Sequence, residues 1–158
     1  VTLPLDAPVA ATVSRPSSEW RMHAAIYRAR PDIHAIVHTH SPRATALAAA
    51  GRGIPPFHYM IALVGGDVRC TPYATFGTAE LAESAVRGLQ DRRACLLGNH
   101  GVMATGSTLA RAHAVAVEIE NLADEYLSML SAGLVPQLLD DAEIQKVVAL
   151  FADYGRLG

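Results

Sequence analysis

Short strand-like segments alternate with helical segments along this chain, and this alternation constrains the fold more than any other feature. The run IHAIVHTH, residues 33–40, alternates apolar and β-branched residues as a strand does. Proline- and glycine-bounded helical patterns flank it at 16–31 and 41–53. A chain of 158 residues can bury a sizeable core as one domain. We therefore predict a single α/β layered domain over 1–158. The pattern does not decide whether its sheet is parallel or antiparallel.

The rest of the chain continues the alternation of strands and helices. An Asp-x-x-Glu capping box at residues 140–143 predicts the start of a closing helix. The other predicted elements are an extended segment over 1–13, short strands near 60–64 and 68–73, a helix from Thr78 to about Gln90, two strands split by the Gly-Asn-His-Gly turn, and a long helix from about Ser107 to Ala132.

Charge and composition exclude several classes of partner. The 13 basic and 15 acidic residues give a net charge of -2, with no basic stripe for nucleic acid. No apolar run approaches the roughly 20 residues of a membrane helix. Cys70 and Cys95 are too few for a disulfide framework, and the sequence shows no signal peptide. We therefore expect a cytoplasmic protein with neither nucleic acid nor membrane as partner.

Two histidines end the first predicted strand. His38 and His40 stand two residues apart, so their side chains share one face about 6.6 Å apart. Two such imidazoles can converge on one ion at about 2.0–2.1 Å, the usual zinc–nitrogen distance. His100, between two glycines, is the best candidate for a third ligand. Alternatively, His38 and His40 are simply polar residues at the end of a buried strand. The alternative for His100 is an ordinary turn residue.

Glu19 is the carboxylate that we nominate to accompany the histidines. It lies in the first turn of the predicted helix that leads into that strand. It can serve as metal ligand or base, or simply as a partner of the helix dipole. Lys146, the one lysine, falls in a polar helix near the C-terminus and does not suit a Schiff-base enzyme. A three-histidine zinc site with an open position fits these residues best.

Five segments that together span nearly the whole chain resemble the class II aldolase/adducin family, and they occur in the order in which that family has them. The resemblance implies a central, mainly antiparallel sheet flanked by helices. It also implies a homotetramer with active sites at subunit interfaces. The family has further residues before the point where this sequence starts, so the domain is expected to lack its N-terminal part. The segments are PSSEWRMHAAIYRARPD, AIVHTHS, FHYMIALVGGDVRCTPYATFGT, LLGNHGV and AVAVEIENLADEYL.

The resemblance also assigns roles to individual residues. It makes His38, His40 and His100 the ligands of one Zn²⁺ per subunit. Glu19 binds the free metal and acts as base once substrate displaces it. The resemblance assigns Tyr59 as a proton donor in a neighbouring subunit's site, Tyr154 as a second tyrosine across that interface, and Ser17 and Ser18 as phosphate-binding residues.

These roles imply a zinc-dependent lyase that acts on a small sugar phosphate. It would cleave a ketose 1-phosphate, such as L-fuculose 1-phosphate, into dihydroxyacetone phosphate and an aldehyde. Zinc would stabilise the enediolate that retro-aldol cleavage leaves behind. Alternatives on the same scaffold are a pentulose-phosphate 4-epimerase, a dehydratase or a decarboxylase. Two further alternatives are an adducin-like binding module without catalysis and a domain that binds no metal.

Overall fold

The computed structural model describes residues 1–5 and 16–154, with side chains to residue 151. Most of the extended segment predicted at 1–13 therefore falls outside the described residues. Elsewhere the predicted alternation of strands and helices is confirmed, with one exception near 60–64. The helices are α1 (Trp20–Ala29), α2 (Pro42–Ala49), α3 (Ala79–Gly88), α4 (Leu109–Ser131) and α5 (Asp141–Tyr154), and the strands are β1 (Ala35–Thr39), β2 (Arg69–Thr71), β3 (Ala94–Leu97) and β4 (Gly101–Gly106).

The four strands form one sheet in the order β1-β4-β3-β2. Strand β4 pairs antiparallel with both β1 and β3, whereas β2 pairs parallel with β3. The expected α/β domain with a mainly antiparallel sheet is therefore confirmed. The hairpin between β3 and β4 carries the Gly-Asn-His-Gly turn at its tip, and β1 lies directly beside β4.

Helices cover both faces of this sheet. Side chains alternate along β4, so that Val102 packs with Ile119 of α4 in one hydrophobic cluster. Met103 points to the other face and packs with Met22 of α1 and Leu81 of α3. His38 is the register partner of Met103, so its side chain shares the face that α1 covers. The layers therefore bring the helix of Glu19 over the strand of the histidine pair.

The helix boundaries follow local capping groups. The hydroxyl of Thr78 accepts from the amide of Leu81 at 3.3 Å, and that of Thr108 accepts from Arg111 at 3.2 Å. Helix α1 begins later than expected, at Trp20, so Glu19 is its N-cap residue rather than a first-turn residue. Among the described residues, no helix is both long enough and apolar enough to cross a membrane.

The prediction of a strand near residues 60–64 is wrong, because Tyr59–Val64 forms a 3₁₀ helix. A short apolar run does not distinguish a strand from a helix by itself. Here Nδ1 of His58 accepts from the amide of Met60 at 3.3 Å and caps the first turn. Gly65 and Gly66 follow with φ of 108° and 121°, which turns the chain immediately afterwards.

Candidate metal centre

Three histidines from two separate places in the chain converge on one point. His38 lies in β1, His40 follows its last residue, and His100 lies at the tip of the β3–β4 hairpin. Their ring centroids are 4.9, 4.9 and 5.0 Å apart. One nitrogen from each ring lies within 4.8 Å of the other two, close enough to share an ion. The sequence prediction that these three imidazoles come together is therefore supported by their geometry.

Two glycines allow the hairpin tip to approach its neighbours this closely. A Cβ on Gly98 would stand 2.5 Å from the Thr71 carbonyl oxygen, and one on Gly101 would stand 2.7 Å from Cδ2 of His40. Asn99 between them has φ of 54°, a left-handed conformation that asparagine tolerates better than most residues. Only glycines at both flanks let His100 reach the end of β1.

A backbone carbonyl fixes the orientation of the His38 ring. Nδ1 of His38 lies 2.8 Å from the carbonyl oxygen of Val102, which can only accept, so the ring N–H donates. In the neutral ring this leaves the Nε2 lone pair directed into the cluster, as in most histidine metal ligands. Nε2 of His40 lies 3.1 Å from Nε2 of His38. Sequence reasoning missed Val102, since a carbonyl has no residue-specific signal.

Glu19 closes the cluster from the side of α1. Its Oε2 lies 3.0 Å from Nε2 of His38, and its Oε1 lies 3.3 Å from Nε2 of His100. Nevertheless Oε1 is buried and makes no hydrogen bond, so its approach to His100 lacks hydrogen-bond geometry. A buried carboxylate oxygen without a partner is costly and rare. Three imidazole nitrogens and this oxygen are the donor set that a divalent cation requires, so the residues fit a metal.

Burial shifts two imidazoles toward the neutral form. Burial lowers the pKa of His100 from its usual 6.5, while Glu19 opposes the shift and the neighbouring imidazoles add to it. Burial also lowers the pKa of His23, one turn after Glu19 on α1, and the nearby His38 lowers it further. Neutral imidazole is the form that binds metal, so the environment favours ligation at neutral pH.

The two serines before Glu19 lie at the start of α1 and are exposed. The Ser17 hydroxyl accepts from the Glu19 amide at 3.3 Å, which is a local turn interaction. A Cβ on Gly77 would stand 3.1 Å from the Ser18 carbonyl oxygen, so the loop before α3 passes close to this turn. The structure therefore places both serines beside Glu19.

The two tyrosines are on neighbouring elements outside the histidine cluster. Tyr59 begins the 3₁₀ helix, is 51% exposed, and has its ring 6.3 Å from that of Phe151 on α5. Among the described residues, Tyr59 makes no hydrogen bond with any histidine of the cluster. Tyr154 ends α5, and its side chain lies outside the described part of the structure.

The chain matches the family model "Class II Aldolase and Adducin N-terminal domain" over residues 1–127. The chain belongs to this family. Its fold matches a solved L-fuculose 1-phosphate aldolase with a TM-score of 0.89 and 40% sequence identity, over 94% of this chain and 69% of that one.

The chain is also similar to two curated bacterial proteins. A 5-methylthioribulose-1-phosphate/5-deoxyribulose-1-phosphate aldolase of Rhodospirillum rubrum is 50% identical over 142 residues, which is 89% of this chain and 64% of that protein. An L-fuculose phosphate aldolase of Escherichia coli is 46% identical over 141 residues, which is 89% of this chain and 66% of that protein. The chain thus spans less than two thirds of the length of these relatives.

Gly101→Ala should weaken metal binding at this candidate centre. The added Cβ would stand 2.4 Å from the Thr39 carbonyl oxygen and would displace His40. Overpacking of this kind costs about 1–3 kcal/mol of unfolding free energy. Elemental analysis of the purified variant should show less bound metal. Gly51→Ala is the control, because no atom lies within 4 Å of the added carbon there, so it introduces backbone strain at a φ of 64° without crowding any neighbour. Equal metal in both variants would contradict the crowding argument.

The metal-free protein should lose stability as the pH falls from about 7.5 to 5.5. The pKa values of His23 and His100 are lowered in the folded state, so below about 6.5 the unfolded chain binds more protons. This stability is therefore present above that pH and is lost below it. Asp32, whose pKa is lowered from 3.8 by its hydrogen bond with Arg30, titrates outside this window.

Thermal unfolding midpoints in the presence of a chelator, measured at three pH values across this window, would check the direction. The variant His23→Gln should show a smaller drop, because it lacks one of the two groups. A midpoint that is constant or rises on acidification would show that the buried imidazoles do not control stability here.

Proposed function

We propose that this chain forms the catalytic centre of a zinc-dependent class II aldolase of the cytoplasm. It would cleave a ketose 1-phosphate, such as L-fuculose 1-phosphate, into dihydroxyacetone phosphate and an aldehyde. The convergence of three imidazoles with the Glu19 carboxylate, one of whose oxygens is buried and unpartnered, carries this proposal. The names of the relatives support it, since both are aldolases of a sugar phosphate.

Zinc, one ion per subunit, suits this set of donors. His38, His40 and His100 would hold it and Glu19 would be the exchangeable ligand, as in catalytic sites with three protein ligands and an open position. When bound, the cation would supply Lewis-acid stabilisation of the negative charge that develops on the substrate carbonyl oxygen. The one lysine, Lys146, is exposed on α5 and offers no Schiff-base alternative.

Glu19 would transfer the proton at the substrate carbon. As the C3–C4 bond breaks, its carboxyl group would deliver a proton to C3, and in the reverse direction its carboxylate would remove that proton. The side chain of Glu19 makes no capping hydrogen bond with α1. The carboxylate is therefore free of the helix and can turn from the imidazoles toward a substrate.

Tyr59 and Tyr154 would act in the site of a neighbouring subunit of a homotetramer. In cleavage, the phenolate form of Tyr59 would take up the proton of the C4 hydroxyl group, and in the reverse direction the Tyr59 hydroxyl would donate that proton to the aldehyde oxygen. The exposure of Tyr59 supports this role, because its ring is available to a second copy. Helix α5 packs along the 3₁₀ helix, which keeps the two tyrosine-bearing elements together.

Ser17 and Ser18 would bind the substrate phosphate. They precede α1, where free backbone amides and the helix dipole favour an anion. Their position directly before Glu19 would place the phosphate at one end of a substrate whose carbonyl reaches the histidines. The relatives' names share a 1-phosphate or phosphate group but differ in the sugar, which supports the phosphorylated end as the common feature.

Purified protein should contain about one zinc ion per chain, as expected for a three-histidine site. His38→Ala and His100→Ala should each abolish zinc binding, since each removes one of three ligands. His34→Ala is the matched control, because His34 is exposed on the same segment and lies outside the cluster. Elemental analysis that finds equal zinc in the wild type and all three variants would refute the metal assignment.

Glu19→Gln should retain the fold and zinc but lose about 10²–10⁴-fold in turnover, the usual contribution of a general acid–base. Tyr59→Phe should also lose turnover. If the sites are shared between subunits, mixing the two inactive variants should restore activity, because some hybrid sites then combine an intact Glu19 with an intact Tyr59. Full activity of Glu19→Gln alone would reject its role, and mixed tetramers without recovery would reject the shared site.

A substrate screen would identify the sugar. L-fuculose 1-phosphate, 5-deoxyribulose 1-phosphate and 5-methylthioribulose 1-phosphate should be compared with the unphosphorylated ketoses, with aldehyde release as the measurement. We expect product from at least one phosphorylated ketose and far less from its unphosphorylated form. A protein that binds zinc but releases no aldehyde from any ketose would favour the epimerase or decarboxylase alternatives.

A further inference from the structure

Glu120 of α4 binds the first turn of α2 with both carboxylate oxygens. Its Oε1 accepts from the backbone amide of Arg43 and its Oε2 accepts from that of Ala44, each at 2.9 Å. Charge-assisted bonds of a carboxylate to helix N-terminal amides are among the stronger hydrogen bonds in proteins. The two groups are 77 and 76 residues apart in sequence, so the contact ties two distant elements together.

The N-cap residue of α2 does not supply this interaction itself. Ser41 is a residue type that normally caps a helix, yet its side chain makes no capping bond and its Oγ is buried without a partner. The amides that a local cap would satisfy are held by Glu120 instead. The start of α2 is therefore fixed to α4 rather than to its own preceding turn.

Helix α2 connects the two halves of the histidine cluster. Its N-cap residue Ser41 directly follows His40, so a shift of the helix start moves that ligand. At the other end, the Ala48 carbonyl accepts from the amide of Asn99 at 3.0 Å, and Asn99 precedes His100. The position of α2 thus affects the ligand at the end of β1 and the ligand at the hairpin tip.

We propose that Glu120 is a positioning residue for the metal centre. By clamping the start of α2 to α4, it holds His40 and His100 at the separation that a shared cation requires. Glu120 acts through the backbone of Arg43 and Ala44 and touches no ligand. This role rests on the proposed metal function. It assigns a part in that function to a residue of α4, which packs on the face of the sheet opposite α1.

Glu120→Gln is the informative variant, since a glutamine has one acceptor oxygen and cannot hold both amides. We expect the zinc dissociation constant, measured by competition with a chelator, to rise about tenfold, the lower end of effects seen when support of a metal ligand is lost. In the metal-free protein, hydrogen exchange should become faster at the amides of Arg43, Ala44 and Asn99.

Asp124→Asn is the matched control. Asp124 lies one turn further along α4 and pairs with the side chain of Arg43 at 2.8 Å rather than with the backbone. Its replacement by asparagine removes the same charge as Glu120→Gln. We expect its zinc affinity to stay within about twofold of the wild type, as for an exposed ion pair. An equal loss in both variants would mean that charge, not anchoring, is responsible, and would overturn the proposal.

The metal-free exchange measurement keeps this test independent of the proposed function. A wild type that binds no zinc would refute the metal function, and Asn99 exchange would still report whether Glu120 holds the hairpin tip. Unchanged zinc affinity and unchanged Asn99 exchange in Glu120→Gln would overturn the proposal while leaving the zinc site intact.

Discussion

The antiparallel pairing of β1 with β4 is the constraint on which the rest of the centre depends. The ladder pairs His38 with Met103 and ends at Thr39 with Val102. Because it ends there, His40 leaves the sheet beside Gly101, the residue at which the hairpin tip enters β4. A slip of one residue would turn His38 to the opposite face, so the hydrophobic register that fixes the sheet also fixes the position of this imidazole.

The centre concentrates polar groups where the rest of the sheet buries apolar ones. Glu19 and two of the imidazoles have side chains only 12–16% exposed, yet one carboxylate oxygen lacks a hydrogen bond. An unsatisfied buried polar group costs about 1–3 kcal/mol. Two hydrophobic clusters, one on each face of the sheet, hold this arrangement in place. A cation among these groups would satisfy the unpaired oxygen, and its binding would then stabilise the folded state.

Local sequence signals predicted most of the helices and strands and the convergence of three histidines, whereas they gave no sign of the long-range contacts. The spacing of His38 and His40 and the glycines around His100 carry their geometry in the sequence itself. The apolar run at 60–64 predicts a strand, and that prediction is wrong because the His58 cap and the glycine turn favour a 3₁₀ helix. Glu120 had no detectable signal, since a glutamate on a helix surface looks the same whether or not it reaches a distant amide.

The contacts that hold the three histidines differ from those of Glu19. They divide the four side chains into a fixed group and a movable one. Each histidine is held by backbone: His38 by the Val102 carbonyl, His40 through α2, and His100 through the hairpin that α2 and β2 anchor. Glu19 alone lies at a helix end without a side-chain bond to its own helix. A metal-dependent proton-transfer site needs ligands that stay in place while one group changes partner. The fixed histidines and the free carboxylate have the supports that these two tasks require.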